Sequence, residues 1–297
     1  MKQIKIGFLL AYDYELLKTA LPQVYNHADK IVLSLDKNRK TYKGNDFLIP
    51  DDFFSWLKEF DESNIIDIYE DDFAVPTLSP MECEVRQRRL TAKILGEGGW
   101  HLQIDVDEYF LDFGKFIKRL RYFEKRIQPD EKVTVFVNWI TLFKKVDEGF
   151  LYTKYNGGYE LCHIATNSPE YEYGRACTGH KAIISNCFVL HDSWARDENQ
   201  VYTKLKNWSH SNDFDLDKFY NLWKQITIEN YKSVVNFHPI NSKLWLGLGL
   251  FKGRTMDQII FTAKNDYEKK NFFWKMILKN IKGGGKILNI IERLFKI

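Results

Sequence analysis

The stretch Trp100 to Phe110, WHLQIDVDEYF, decides how the rest of the chain is read. Trp100 to Val106 reads as a short apolar strand that runs into Asp105, Asp107 and Glu108, with Val106 alone between the two aspartates. Three carboxylates packed this closely repel one another unless positive charge sits among them. Mg²⁺ and Mn²⁺ are hard ions that take carboxylate oxygens and share their remaining positions with substrate phosphates. A strand ending in Asp-x-Asp is therefore a place to hold a metal-diphosphate, and the competing reading is a solvated acidic turn.

Working outward, the chain up to this point reads strand, helix, strand, helix, strand, helix, strand. Ile4 to Ala11 is a nearly continuous apolar strand, as in a parallel sheet covered on both faces. Asp13 is placed to cap a helix carrying Leu16, Leu17, Leu21 and Val24. Lys30 to Leu35 forms the second strand and ends at Asp36, which either contacts a nucleotide or is a turn residue. Asp52 to Phe60 reads as a short aromatic helix and Asn64 to Tyr69 as a third strand. The spacing predicts a helix over Pro80 to Leu95, stopped by Gly96, Gly98 and Gly99. Met81, Val85, Ala92 and Leu95 lie on one face of it, and Arg86, Arg89 and Lys93 make a basic stripe on another. An arginine fork suits phosphate oxygens, so Arg86 and Arg89 are candidates for a diphosphate, with Tyr12 and Asp36 beside them and Asp105 shared with a metal.

Downstream, Phe113 to Phe123 repeats at helical spacing and Lys132 to Ile140 alternates as a strand. Gly149 to Gly179 is glycine-rich, holds five tyrosines and reads as an irregular acceptor-side segment. Lys181 to Leu190 is a further strand that ends in His191 and Asp192. Asp197 to His210 and Phe214 to Val235 read as helical. The tail from Asn271 to Ile297 interleaves Lys275, Lys279, Lys282, Lys286, Arg293 and Lys296 with aromatic and aliphatic residues against the single acid Glu292. It is either a helix pair lying on an anionic membrane surface or a helix docked on the main domain. We divide the chain into residues 1–235, a catalytic domain, and 236–297, a C-terminal extension.

The bulk numbers bound the rest. A chain of 297 residues, 44% hydrophobic and 28% charged, has room for a large core, and a net charge of +3 gives no reason to expect a nucleic-acid partner. Four scattered cysteines make no disulfide scaffold and suit a reducing compartment. The basic, then apolar, N-terminus is too short in its apolar run for a signal peptide, and no uncharged run is long enough to span a membrane. The expectation is a cytoplasmic protein with a peripheral contact to the inner face of a membrane.

The run RQRRLTAKILGEGGWHLQIDVDEYF resembles the central block of family-2-like GT-A glycosyltransferases, in which a helix arginine, a Gly-aromatic pair and an apolar strand lead to Asp-x-Asp. The later HDSWARDENQVYTKLKNWSH resembles the segment in which a histidine completes the metal site. With the first strand these blocks span roughly the first 210 residues. The resemblance implies a GT-A α/β fold with a mostly parallel central sheet flanked by helices, and a helical C-terminal extension. It implies a nucleotide-sugar donor and a saccharide or lipid-linked acceptor. It also implies Mn²⁺ or Mg²⁺ held by Asp107 and His191 with Asp105 nearby, and Arg89 as the family's arginine. The sequence departs from the pattern in lacking a Glu-Asp followed by Gln-x-x-Arg-Trp. An inverting transfer needs a base near the acceptor hydroxyl, and Asp192, Glu172 and Glu170 are the candidates. Two other classes compete. A sugar-nucleotide nucleotidyltransferase would show a glycine-rich basic loop where this chain has AYDYELLK. A zinc-stabilised module would draw on Cys162, His163, Cys177, His180, Cys187 and His191, which lack a CxxC pair.

Overall fold

Strand β1 (Ile4–Leu10) is buried on both faces, because it lies in the middle of a parallel stack. It pairs in parallel with β2 (Lys30–Asp36) on one side and β4 (Trp100–Gln103) on the other, and β2 pairs in parallel with β3 (Ile66–Asp71). The crossovers carry α1 (Leu17–Val24), α2 (Asp51–Phe60) and α3 (Pro80–Leu95). Helix α3 has the expected bounds. Ser79 and Glu82 form a capping box at its start, and Gly96, at a φ of 81°, supplies the backbone turn that ends it. The structure is a computed structural model and describes residues 1–208, 213–268 and 273–286.

Past β4 the sheet changes character. After β5 (Glu108–Phe110) and α4 (Phe113–Glu124) come β6 (Val133–Val146), β7 (Gly149–Tyr155) and β8 (Glu160–Thr166); β7 and β8 both pair antiparallel with β6, and β8 also pairs antiparallel with β4. Strand β9 (Lys181–His191) runs parallel to β6 and antiparallel to β5, and β10 (Trp245–Lys252) pairs antiparallel with β7. The α/β class stands, but the mostly parallel sheet implied by the resemblance is a mixed one, parallel through β3, β2, β1 and β4 and again between β6 and β9. The reason is connection length. Only Asp147 and Glu148 separate β6 from β7, too few for a parallel crossover. The segment expected to be irregular from 149 to 179 thus contains two strands, both antiparallel to β6. Gly157 and Gly158, both at positive φ, shape the four-residue turn between them instead of announcing a long loop.

Strand β10, from the segment after residue 235, is the last strand of this sheet, beside β7. The remaining helices are α5 (Glu198–Asn207), α6 (Leu216–Gln225), α7 (Met256–Ala263) and α8 (Phe273–Lys279). Helix α8 is docked. Met276 is buried, Asn280 bonds both backbone groups of Ile184 at 2.8 Å, and the Arg119 guanidinium lies 4.4 Å from the Phe273 ring centre. Of the tail expected at a membrane, Phe273 to Asn280 are therefore docked; 271–272 and 287–297 lie outside the described residues. Among the described residues no helix is long and apolar enough to cross a membrane.

A second apolar cluster fixes the segment after β9. Trp194 packs edge-on against Trp208 and Phe219, and the Trp223 Nε1 donates to the carbonyls of Phe143 at 2.8 Å and Trp194 at 3.1 Å. Buried tryptophans that also satisfy their N–H hold a chain segment in one position. Residues 191–196, which carry site groups, are held this way.

Candidate functional site

The carboxyl ends of β1, β2 and β4 open onto a cavity of about 630 Å³. In open α/β sheets this is where ligands collect. The acidic tip turns back on itself there: Glu108 Oε2 accepts from the Asp105 N–H at 2.9 Å, and the Glu108 N–H donates to the Asp105 carbonyl at 3.0 Å.

Side-chain cations, arranged in two groups, relieve the repulsion among the carboxylates. Arg88 bridges Glu84 at 2.9 Å and Asp105 at 2.8 Å, and Arg175 grips Glu108 through two bonds of 2.6 and 2.7 Å while standing 3.7 Å from Asp105. Arg196 and Lys204 each reach Asp107 Oδ2 at 2.5 Å, and Arg196 also pairs with Asp13 at 3.2 Å. Burial works against a charged Asp107, yet Lys204, His191 and Arg196 outweigh it and hold the carboxyl below its usual range. Asp105 is likewise lowered against its burial, by Arg88 and Arg175. His191 approaches Asp107 with Nε2 at 3.6 Å from Oδ2 and stacks on Trp139 with ring centres 4.2 Å apart. Burial lowers the His191 pKa to about 4, so the ring is neutral at pH 7. Arg88 Nη1, Trp139 Nε1 and His191 Nδ1 are buried and find no hydrogen-bond partner among the described residues, although all three side chains belong to the cavity wall.

The residues singled out from the sequence divide sharply. Tyr12, Asp36, Asp105, Asp107 and His191 line the cavity. Asp36 has nothing to offer a ligand, however: its two oxygens accept the N–H groups of Asn38, Lys40, Phe73 and Ala74, which fills a carboxylate's capacity and makes it the organiser of two loops. Asp13, expected to cap a helix, makes no cap bond and aims at Arg196. Arg86 and Arg89 point elsewhere, donating to the carbonyls of Asp72 and Tyr171. Neither belongs to the cavity wall. Glu172 is exposed and accepts from the Thr178 hydroxyl at 2.6 Å, and Glu170 pairs with Lys132. Asp192 is buried behind the wall, where burial raises its carboxyl to about 7.

The expected metal ligands do not make one donor set. Asp107 and His191 converge, but the carboxylate oxygen they would share already faces two cations, and Asp105 is turned toward Arg88 and Arg175. Among the described residues no three His, Cys, Asp or Glu side chains gather as ligands. The four cysteines are separately buried and free.

The cations that matter were passed over in the sequence, although two of them left a mark there. Arg88 falls between Val85 and Ala92 on the apolar face of α3, and Lys204 falls beside Val201 and Leu205 on that of α5. A lone cation at a buried position of a helix stripe needs an anion inside the protein. Arg175 and Arg196 lie in non-regular segments and left no such pattern.

No protein-family model matches the chain, and no curated protein matches it. Among solved structures, mannose-6-phosphate isomerase from Helicobacter pylori aligns at 11% identity over 55% of this chain and 59% of its own, with a TM-score of 0.32. Mannose-1-phosphate geranyltransferase from Thermus thermophilus aligns at 10% identity over 57% of this chain and 51% of its own, with a TM-score of 0.27. The chain thus spans little more than half the length of either, and likenesses this slight carry no argument about fold or activity.

Proposed function

We propose that the protein is a glycosyltransferase of GT-A type that binds a nucleotide-diphosphate sugar in the cavity and moves the sugar to a hydroxylated saccharide or lipid-linked acceptor. The observation that carries this reading is the set of buried cations at the strand ends, with Arg88, a residue of the cavity wall, keeping one buried guanidinium nitrogen without a partner among the described residues. A buried guanidinium donor without a partner favours an anionic ligand, because pairing it recovers the desolvation cost already incurred. Breaking the sugar-diphosphate bond leaves negative charge on the departing phosphate, and Arg88 and Lys204 stand where they can stabilise it. With two cations on Asp107, a need for Mn²⁺ or Mg²⁺ is an open arm of the test and no step is routed through it.

The test is a donor panel. Purified protein is mixed with UDP-glucose, UDP-N-acetylglucosamine or GDP-mannose, with Mn²⁺ or with EDTA, and its unfolding temperature and donor hydrolysis are followed. At 100 times Kd, a ligand that binds the folded state alone adds about 2.7 kcal/mol of stability. A nucleotidyltransferase would instead release pyrophosphate from a nucleoside triphosphate and a sugar phosphate, and that outcome would replace the proposal.

The helix arginines give a sharper expectation within the same assay. Arg88→Ala weakens UDP binding by about 1.5 to 3 kcal/mol, the range for a charge-assisted hydrogen bond, as read by titration calorimetry. Arg89→Ala and Arg86→Ala leave it unchanged. Loss of binding in Arg89→Ala with retention in Arg88→Ala would assign the diphosphate to the other face of α3.

A further inference from the structure

We infer that Glu160 is the group that takes the proton from the acceptor hydroxyl; this deepens the transfer reading above and rests on it. Six carboxylates line the cavity: Asp13, Asp36, Glu84, Asp105, Asp107 and Glu160. Four are paired with arginine or lysine, and Asp36 is filled by backbone N–H groups. Glu160 alone has no hydrogen bond or ion pair from its side chain to any described residue. A carboxylate already held by a guanidinium is a poor proton acceptor, so five of the six are unsuited to the task and one is suited.

Its position fits the acceptor side. Glu160 begins β8 directly opposite Trp139 of β6, and opposed residues on paired strands project from the same face. Trp139 in turn stacks on His191, which lies against Asp107, so the wall runs from the free carboxylate to the charged floor through two rings. The next residue, Leu161, also lines the cavity and is 44% exposed, so this side of the wall reaches solvent. Tyr155 from β7 and Cys162 on β8 are its titratable neighbours, with His163, Arg175 and His191 on the walls of the same space. Burial raises the Glu160 carboxyl to about 7, close to the value at which a base is both ionised and strong near neutral pH.

The step balances. The acceptor O–H bond breaks and its proton passes to the Glu160 carboxylate. The acceptor oxygen bonds to the anomeric carbon, and the bond from that carbon to the diphosphate breaks with its electron pair leaving on the diphosphate oxygen. The protonated Glu160 then returns its proton to water. With water as the acceptor, the same step is donor hydrolysis, which can be measured before a natural acceptor is known.

The experiment compares wild type, Glu160→Gln and Glu160→Asp as full chains. Hydrolysis of the donor panel is followed from pH 5 to 9, and UDP or GDP binding by calorimetry. The expected result is a wild-type rate that rises through about pH 7, a loss of at least about 100-fold in Glu160→Gln together with that pH limb, and partial activity in Glu160→Asp, with nucleotide affinity kept in all three. Unchanged turnover in Glu160→Gln, or turnover and binding lost together, overturns the assignment of the base and leaves the transfer reading standing. If wild type neither binds nor turns over any donor of the panel, the transfer reading falls and this inference falls with it.

Discussion

Asp107→Ala is expected to cost the fold about 3 to 5 kcal/mol, the range for removing one partner of a buried ion pair. Asp107 is buried and is the anion shared by Arg196 and Lys204. Without it Arg196 keeps Asp13 at 3.2 Å, while Lys204 is left with no anion within bonding distance among the described residues. Urea unfolding of the variant checks the value, and a second variant identifies the cause. Asp107→Ala with Lys204→Met removes the stranded charge together with its partner, so it is expected to recover part of the loss. A double variant no more stable than Asp107→Ala would show that the cost came from packing and not from charge.

The same residue sets an acid limit. Its folded carboxyl lies below the usual range, so its contribution is complete above the unfolded value of about 3.9 and is lost as pH falls toward the folded one. Wild-type stability is expected to fall below about pH 4, and Asp107→Ala to lose less across that window.

Glu108→Gln is expected to cost a similar 3 to 5 kcal/mol, roughly, and to loosen a distant stretch of chain as well. Burial pushes the Glu108 carboxyl up from its usual range while Arg175 pulls it back, and the two-point contact at 2.6 and 2.7 Å is the attachment of residues 172–176 to the acidic tip. Within that stretch Glu172 bonds Ala176 and Ala176 bonds Tyr173 through the backbone, each at 2.8 Å. Glutamine keeps the shape but removes the charge, leaving Arg175 with the Gln103 carbonyl at 2.9 Å and, as its nearest carboxylate, Asp105 at 3.7 Å. Hydrogen exchange is expected to quicken through 172–176 before it changes in β1 or β2. Unchanged exchange there would mean that Arg175 is not what holds the segment.

These expectations rest on two kinds of information. Local periodicity and turn chemistry determined the first part of the chain: β1, β2 and α3 were legible because continuous apolar runs, a helical apolar stripe and terminal glycines act over a few residues. The same signals brought out Asp105, Asp107 and His191 as strand-end residues, and the sequence alone indicated that the acidic tip needed positive charge beside it. What supplies that charge is a long-range matter. Arg175, Arg196 and Lys204 come from segments that reach the tip only after β6 to β9 have paired and Trp194 has packed beneath α6. Likewise, the stripe of Arg86 and Arg89 was visible as a helical pattern, but which face of α3 looks into the cavity was decided by its packing on β1 and β2. Glu160 was silent in the sequence, since a carboxylate becomes a candidate base through its lack of partners, and partners are settled only by the tertiary structure.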